Sequence, residues 1–138
     1  MGGVRHHIRI AASADHVWEV VGRPELLHLW FPGIVACTVD GNTRTITTGQ
    51  GVDMPEEIVA NDRLLRRFQY RITAPVFQHH RGTIDVIELA PDGTLVVYST
   101  DAEPSVMALM IGSGTLDALR ELQRQFTDGG PALEAARG

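Results

Sequence analysis

Apolar and polar residues alternate from Val4 to Ile10, with Val4, His6, Ile8 and Ile10 on one side and Arg5, His7 and Arg9 on the other. That period of two is the signature of a half-buried strand. The period then lengthens: Ala14, Val17, Trp18 and Val21 recur at helical spacing behind Ser13, whose hydroxyl suits an N-cap, and Gly22 ends the run. Pro24 opens a second short helical segment over Glu25 to Trp30, stopped by Pro32-Gly33. From Ile34 to Tyr98 short β-branched and aromatic runs are separated by turn signals such as Asp40-Gly41-Asn42, Asn61-Asp62 and Pro91-Asp92-Gly93. They predict strands at about 34–39, 43–48, 55–60, 65–73, 79–89 and 94–101. After Glu103-Pro104 the helical period returns, with Met107, Met110 or Ile111, Gly114, Ala118, Leu122 and Phe126 on one stripe ending near Asp128-Gly129-Gly130. Residues 131–138 are small and charged, and are expected to form a flexible C-terminal tail.

The order is one strand, two short helices, a six-stranded meander and a long terminal helix, which makes an α+β fold. With 138 residues, 43% of them hydrophobic, the chain can bury one sizeable core, so a single domain over residues 1–130 is expected. The formal charge is -5 and no segment concentrates basic residues, which argues against nucleic acid as a partner. No run approaches the roughly 20 apolar residues of a membrane span. The one cysteine, Cys37, has no second cysteine to pair with, as is usual in a reducing compartment, so a cytoplasmic location is expected.

Strand alternation also assigns faces. Phe68, Tyr70 and Ile72 share a side; so do His80, Gly82, Ile84 and Val86; so do Val96, Tyr98 and Thr100; and Arg44 falls with Ile46 and Thr48. Polar residues therefore sit among apolar ones. A buried Arg44 needs an anion, and Glu56 is the nearest partner by strand order. An inward His80 beside Tyr70 and Tyr98 has the chemistry of a general acid or base, although a buried neutral imidazole without function is the favoured reading. The pairs His6-His7 and His79-His80 cannot chelate one ion, because adjacent strand residues face opposite ways, and no metal site is expected. Cys37 has no evident histidine partner and is read as packing, as are Trp18 and Trp30, while His28 is expected to be exposed.

Several segments carry a resemblance. Leu29-Trp30-Phe31-Pro32-Gly33-Ile34 followed by Cys37, then Arg44, Glu56-Glu57-Ile58, Arg67-Phe68-Gln69-Tyr70-Arg71-Ile72 and Asp92-Gly93-Thr94-Leu95-Val96-Val97-Tyr98, resemble in type and spacing the polyketide cyclase/dehydrase branch of the START/Bet v 1-like (SRPBCC) superfamily. Two positions depart from that branch, which often has Tyr at His80 and Trp at Tyr98. The resemblance implies a helix-grip fold, a seven-stranded curved antiparallel sheet wrapped around the long helix, with an internal cavity. It places Trp30, Arg44, Ile46, Glu56, Phe68, Tyr70, His80, Tyr98, Met107 and Met110 as candidate ligand contacts. It also places Gly49 to Pro55 where relatives carry a gating loop, although an ordinary hairpin accounts for the same glycines.

Three functions follow as expectations. The first is binding of a small hydrophobic, polyketide-like or lipid-like molecule. The second is a cyclase, aromatase or dehydratase that uses His80, Glu56, Tyr70 and Tyr98 for proton transfer and Arg44 to stabilise an enolate or carboxylate. The third is a protein-interaction module without a ligand. No cofactor is implied, and a homodimer is allowed.

Overall fold

The computed structural model describes all residues from Met1 to Gly138. The sheet begins with β1 (Gly2–Ile10), continues through β2 (Ile34–Asp40), β3 (Thr43–Thr48), β4 (Asp53–Asp62), β5 (Arg67–Ile72) and β6 (His79–Ala90), and ends with β7 (Gly93–Glu103). Between β1 and β2 lie helix α1 (Ala14–Val21) and a 3-10 helix (Pro24–Leu29), and after β7 come α2 (Ser105–Asp128) and α3 (Pro131–Arg137). The strands are antiparallel in the order β1-β7-β6-β5-β4-β3-β2, so the chain meanders from β2 to β7 and β1 closes the far edge beside β7. Register shifts within β2, β4 and β6 bend the sheet around its contents.

Local chemistry accounts for the element ends. Ser13 accepts a hydrogen bond from the His16 backbone N–H at 3.2 Å, capping α1. The β2–β3 hairpin turns on Gly41, whose φ of 60° is the sign that a two-residue loop needs at its first central position. The inward faces follow the expected parity: Arg44, Ile46, Phe68, Tyr70, Ile72, His80, Ile84, Val86, Val96, Tyr98 and Thr100 are all buried. One position on that face must be glycine. A Cβ on Gly82 would lie 2.5 Å from the Tyr70 ring, so Tyr70 reaches across β6 only because Gly82 leaves it room.

Two expectations about the C-terminal part are corrected. Residues 131–138 do not form a flexible tail: the chain reverses at Gly129 (φ 85°) and α3 packs back, burying Ala132 and Leu133. Gln125 clips it in place, accepting from the Ala132 N–H at 2.9 Å and donating to the Leu29 carbonyl at 2.8 Å. In α2 the buried residues are Ala108, Gly112, Thr115, Ala118, Leu119, Leu122 and Gln125, so the first half of the helix is rotated from the expected Met107, Met110 and Gly114 stripe. Gly112 sets this rotation, since a Cβ there would lie 2.6 Å from a Val4 methyl of β1. Small residues bring helix and sheet together, leaving Met107 half-buried and Met110 64% exposed. No helix is long and apolar enough to cross a membrane.

Candidate functional site

Between the sheet and α2 lies a cavity of about 260 Å3. Leu27 and the segment Phe31 to Ile34 form one wall, Ile46, Thr48, Gln50, Met54 and Glu56 of the β3–β4 region a second, Tyr70 and Ile72 of β5 the inner end, and Met110, Ile111 and Gly114 of α2 the roof. For scale, an apolar void of about 150 Å3 holds benzene. This one accommodates a molecule of one or two fused rings.

The inner end is polar. Arg44 and Glu56 face each other in the β3–β4 register, both 2% exposed, and the Arg44 Nε donates to Glu56 Oε1 at 2.7 Å. Arg44 Nη1 donates to the Pro24 carbonyl at 3.3 Å, which ties the 3-10 helix to the sheet. Its guanidinium lies over Phe68 and Tyr70, 5.1 Å and 5.0 Å from the ring centroids. Burial opposes the charge on Arg44, yet Glu56 holds its pKa above the ordinary value. Burial likewise pushes the Glu56 carboxyl up, against the pull of Arg44. Glu56 Oε2 has no protein partner, whereas Oε1 is committed to Arg44.

Beside the ion pair, the hydroxyls of Tyr70 and Tyr98 are 2.5 Å apart. Burial raises both phenols well above their usual range, so both stay protonated at neutral pH. Two hydroxyls in one hydrogen bond leave one proton to offer elsewhere, and of the two residues only Tyr70 lines the cavity. Tyr98 stands behind it, edge-on to Phe31 with ring centroids 6.3 Å apart.

His80 lies deeper. β5 and β6 pair only as far as Tyr70 and Gly82, and past that point the Ile72 N–H donates to His80 Nδ1 at 2.9 Å. The imidazole thus replaces a missing ladder carbonyl, and the proton of the neutral ring resides on Nε2, which is buried without a partner, as is Thr100 Oγ1. Burial lowers the His80 pKa to about 4. The unfolded chain takes up a proton near pH 6.5. Stability is therefore expected to fall by up to about 3 kcal/mol as pH drops from about 6.5 to about 4, and to be insensitive to this residue above that window. Imidazole nitrogen shifts tracked by NMR should report a neutral ring at pH 5; protonation near 6.5 would contradict the assignment.

Of the expected contacts, Ile46, Glu56, Tyr70 and Met110 line the cavity. Arg44, Phe68, Tyr98, His80 and Trp30 form the buried layer behind it, and Met107 faces elsewhere along α2. Sequence reasoning passed over Phe31, Ile34, Met54, Ile72 and Ile111 as wall residues. Ile72 shared the Tyr70 face and Ile111 stood beside Met110 on the expected helix stripe, and those were the signals available. Gly49 to Pro55 is a short hairpin: Asp53 to Pro55 already belong to β4, and the Gly49 N–H donates to the Gly33 carbonyl at 2.9 Å, fastening the tip to the opposite wall. Cys37 does have a histidine neighbour, since His28 Nδ1 lies 3.1 Å from its sulfur, and His28 is half-buried rather than exposed. The Cys37 thiol also lies 3.1 Å from the Glu25 carbonyl, where it stitches the 3-10 helix to β2.

Comparison with known proteins gives a consistent likeness. The family model described as polyketide cyclase / dehydrase and lipid transport matches residues 1–130. The XoxI protein of Bacillus cereus superposes with a TM-score of 0.87 at 24% identity, covering 93% of this chain and 97% of that one. The di-domain ARO/CYC protein BexL of the BE-7585A biosynthetic pathway gives a TM-score of 0.76 at 18% identity, over 90% of this chain and 46% of that one. Norcoclaurine synthase of Thalictrum flavum, solved with dopamine and hydroxybenzaldehyde, gives 0.72 at 21% identity, over 91% and 85%. No curated protein matches the sequence.

Proposed function

The chain belongs to the polyketide cyclase / dehydrase and lipid transport family, and from that premise we propose that it binds a small, mostly apolar organic molecule in the cavity beneath α2. The observation that carries this reading is the cavity itself: an apolar space of about 260 Å3 with Glu56 and Tyr70 at its inner end. Affinity would come mainly from apolar surface removed from water, at about 25 cal/mol per Å2, while the polar end sets orientation. Filling the space is the direct test. Ile111→Trp places an indole in the roof and is expected to weaken binding of a neutral bicyclic probe such as 2-naphthol at least tenfold, read by fluorescence titration, with the fold intact by circular dichroism. Undiminished binding to the Trp variant would place the ligand elsewhere and sink the proposal. Native mass spectrometry of the purified protein provides a second readout, with a retained small molecule expected.

One observation favours a second reading, acid-base catalysis of the cyclase, aromatase or dehydratase type. Glu56, a carboxyl made more basic by burial, and Tyr70, one of two phenols that share a hydrogen bond, both face the same cavity end. His80 is less suited to that role, since its Nδ1 is engaged by the backbone and it stands outside the lining. Glu56→Gln would then abolish turnover of a poly-β-ketone substrate; unchanged turnover would remove the carboxyl from any such chemistry.

A further inference from the structure

The charge balance at the inner end of the cavity defines which ligand chemistry it accepts, given that the cavity is the ligand site. Arg44 is the only cation in the buried cluster, with Nε on Glu56, Nη1 on Pro24 and the guanidinium plane over Phe68 and Tyr70, while its Nη2 is buried without a partner. It does not line the cavity, whereas its anionic partner Glu56 does, with one oxygen uncommitted. An incoming carboxylate would therefore meet the Glu56 carboxylate first and would be desolvated with no cation in the lining to receive it. A neutral hydroxyl meets the opposite situation. It can donate to Glu56 Oε2 and accept the spare proton of the Tyr70 and Tyr98 pair, satisfying groups that the protein leaves open.

We propose that Glu56 makes the cavity a charge filter that accepts neutral ligands carrying a hydrogen-bond donor, such as a phenol, an enol or an alcohol, and rejects carboxylates of the same size. Arg44 supplies the compensating charge that lets a carboxylate sit in this wall, and that charge is in turn neutralised by Glu56. Glu56 is thus a specificity-determining residue, and its removal should shift the preference toward anions: Glu56→Gln leaves the Arg44 charge uncompensated behind the wall, which favours an anionic guest.

The test is isothermal titration of the full chain with four ligands of matched size: naphthalene, 2-methoxynaphthalene, 2-naphthol and 2-naphthoate. For the native protein 2-naphthol is expected to bind at least tenfold more tightly than 2-methoxynaphthalene, which cannot donate, and 2-naphthoate to bind weakest of the four. Tighter binding of 2-naphthoate than of 2-naphthol overturns the filter while leaving the cavity as the binding site. Equal binding of the naphthol and its methyl ether also overturns it, since the donor then counts for nothing. Failure of all four to bind overturns the cavity reading as well. In Glu56→Gln the ratio of naphthol to naphthoate affinity is expected to fall at least tenfold, and an unchanged ratio removes Glu56 from the selection. The native ligand series decides the matter on its own if that variant does not fold.

Discussion

Arg44→Met is expected to lower the unfolding free energy by about 3–5 kcal/mol, among the largest losses from any single substitution. Arg44 and Glu56 are both 2% exposed, so removing the cation leaves a carboxylate with no counter-charge in an apolar wall. Two further contacts go with it, the donation to the Pro24 carbonyl that fastens the 3-10 helix and the stacking over Phe68 and Tyr70. The deficit should depend on pH in a defined direction. Without Arg44 the folded-state pKa of Glu56 lies further above its unfolded value near 4.3, so the penalty is present at neutral pH and disappears as pH falls and both states bind the proton. Acid sensitivity from His80 is common to both proteins and cancels in the comparison. Replacing both charges, as in Arg44→Met with Glu56→Met, should restore most of the loss, because the cost comes from an unpaired buried charge and not from absence of the pair. Chemical denaturation of the native protein and the two variants checks this. A single variant as stable as native, or a double variant no better than the single, would contradict it.

Trp30→Ala carries the second large effect, a loss of about 3–5 kcal/mol with ligand affinity reduced at least tenfold. Trp30 is 2% exposed and packs between Phe31 and Tyr98, each 6.5 Å away by ring centroids. It touches the cavity only through them: Phe31 forms part of the wall, and Tyr98 positions the Tyr70 hydroxyl. The void left by the indole would let both rings relax away from their places. The indole Nε1 is buried without a partner, so Trp30→Phe removes an unsatisfied donor along with volume and should cost only about 1–2 kcal/mol. Thermal unfolding and probe titration on the two variants separate packing from chemistry; equal losses for Ala and Phe would assign the role to the indole nitrogen.

The sheet was legible in the sequence because side chains alternate along each strand between its bulges. Once Tyr70 is placed inward, Phe68 and Ile72 must follow, and the same parity buries His80 and Tyr98. The cross-strand partner of Arg44 followed from the cost of burying its charge. Helix faces were less legible, since Met107 and Met110 have the hydropathy of core residues but the closest helix and sheet contact belongs to Gly112, whose role depends on Val4 of a distant strand. The same limit hid α3. Residues 131–138 are too short and too small to declare a helix by periodicity, and Leu133 becomes buried only because Gln125 holds the returning backbone. The contact between Cys37 and His28 was out of reach for a similar reason, since it depends on how the 3-10 helix lies across β2. At the site, the polar residues were found from their faces, whereas the apolar wall from Phe31 to Ile34 required knowing that the chain after the 3-10 helix borders a space left unfilled.

The most direct test of the cavity as a binding site is methyl NMR of the native protein titrated with 2-naphthol. Saturable shifts confined to the methyl groups of Ile34, Ile46, Met54, Ile72, Met110 and Ile111 are the expected result. Shifts centred on the outer face of the sheet, or none at ligand saturation, would contradict it.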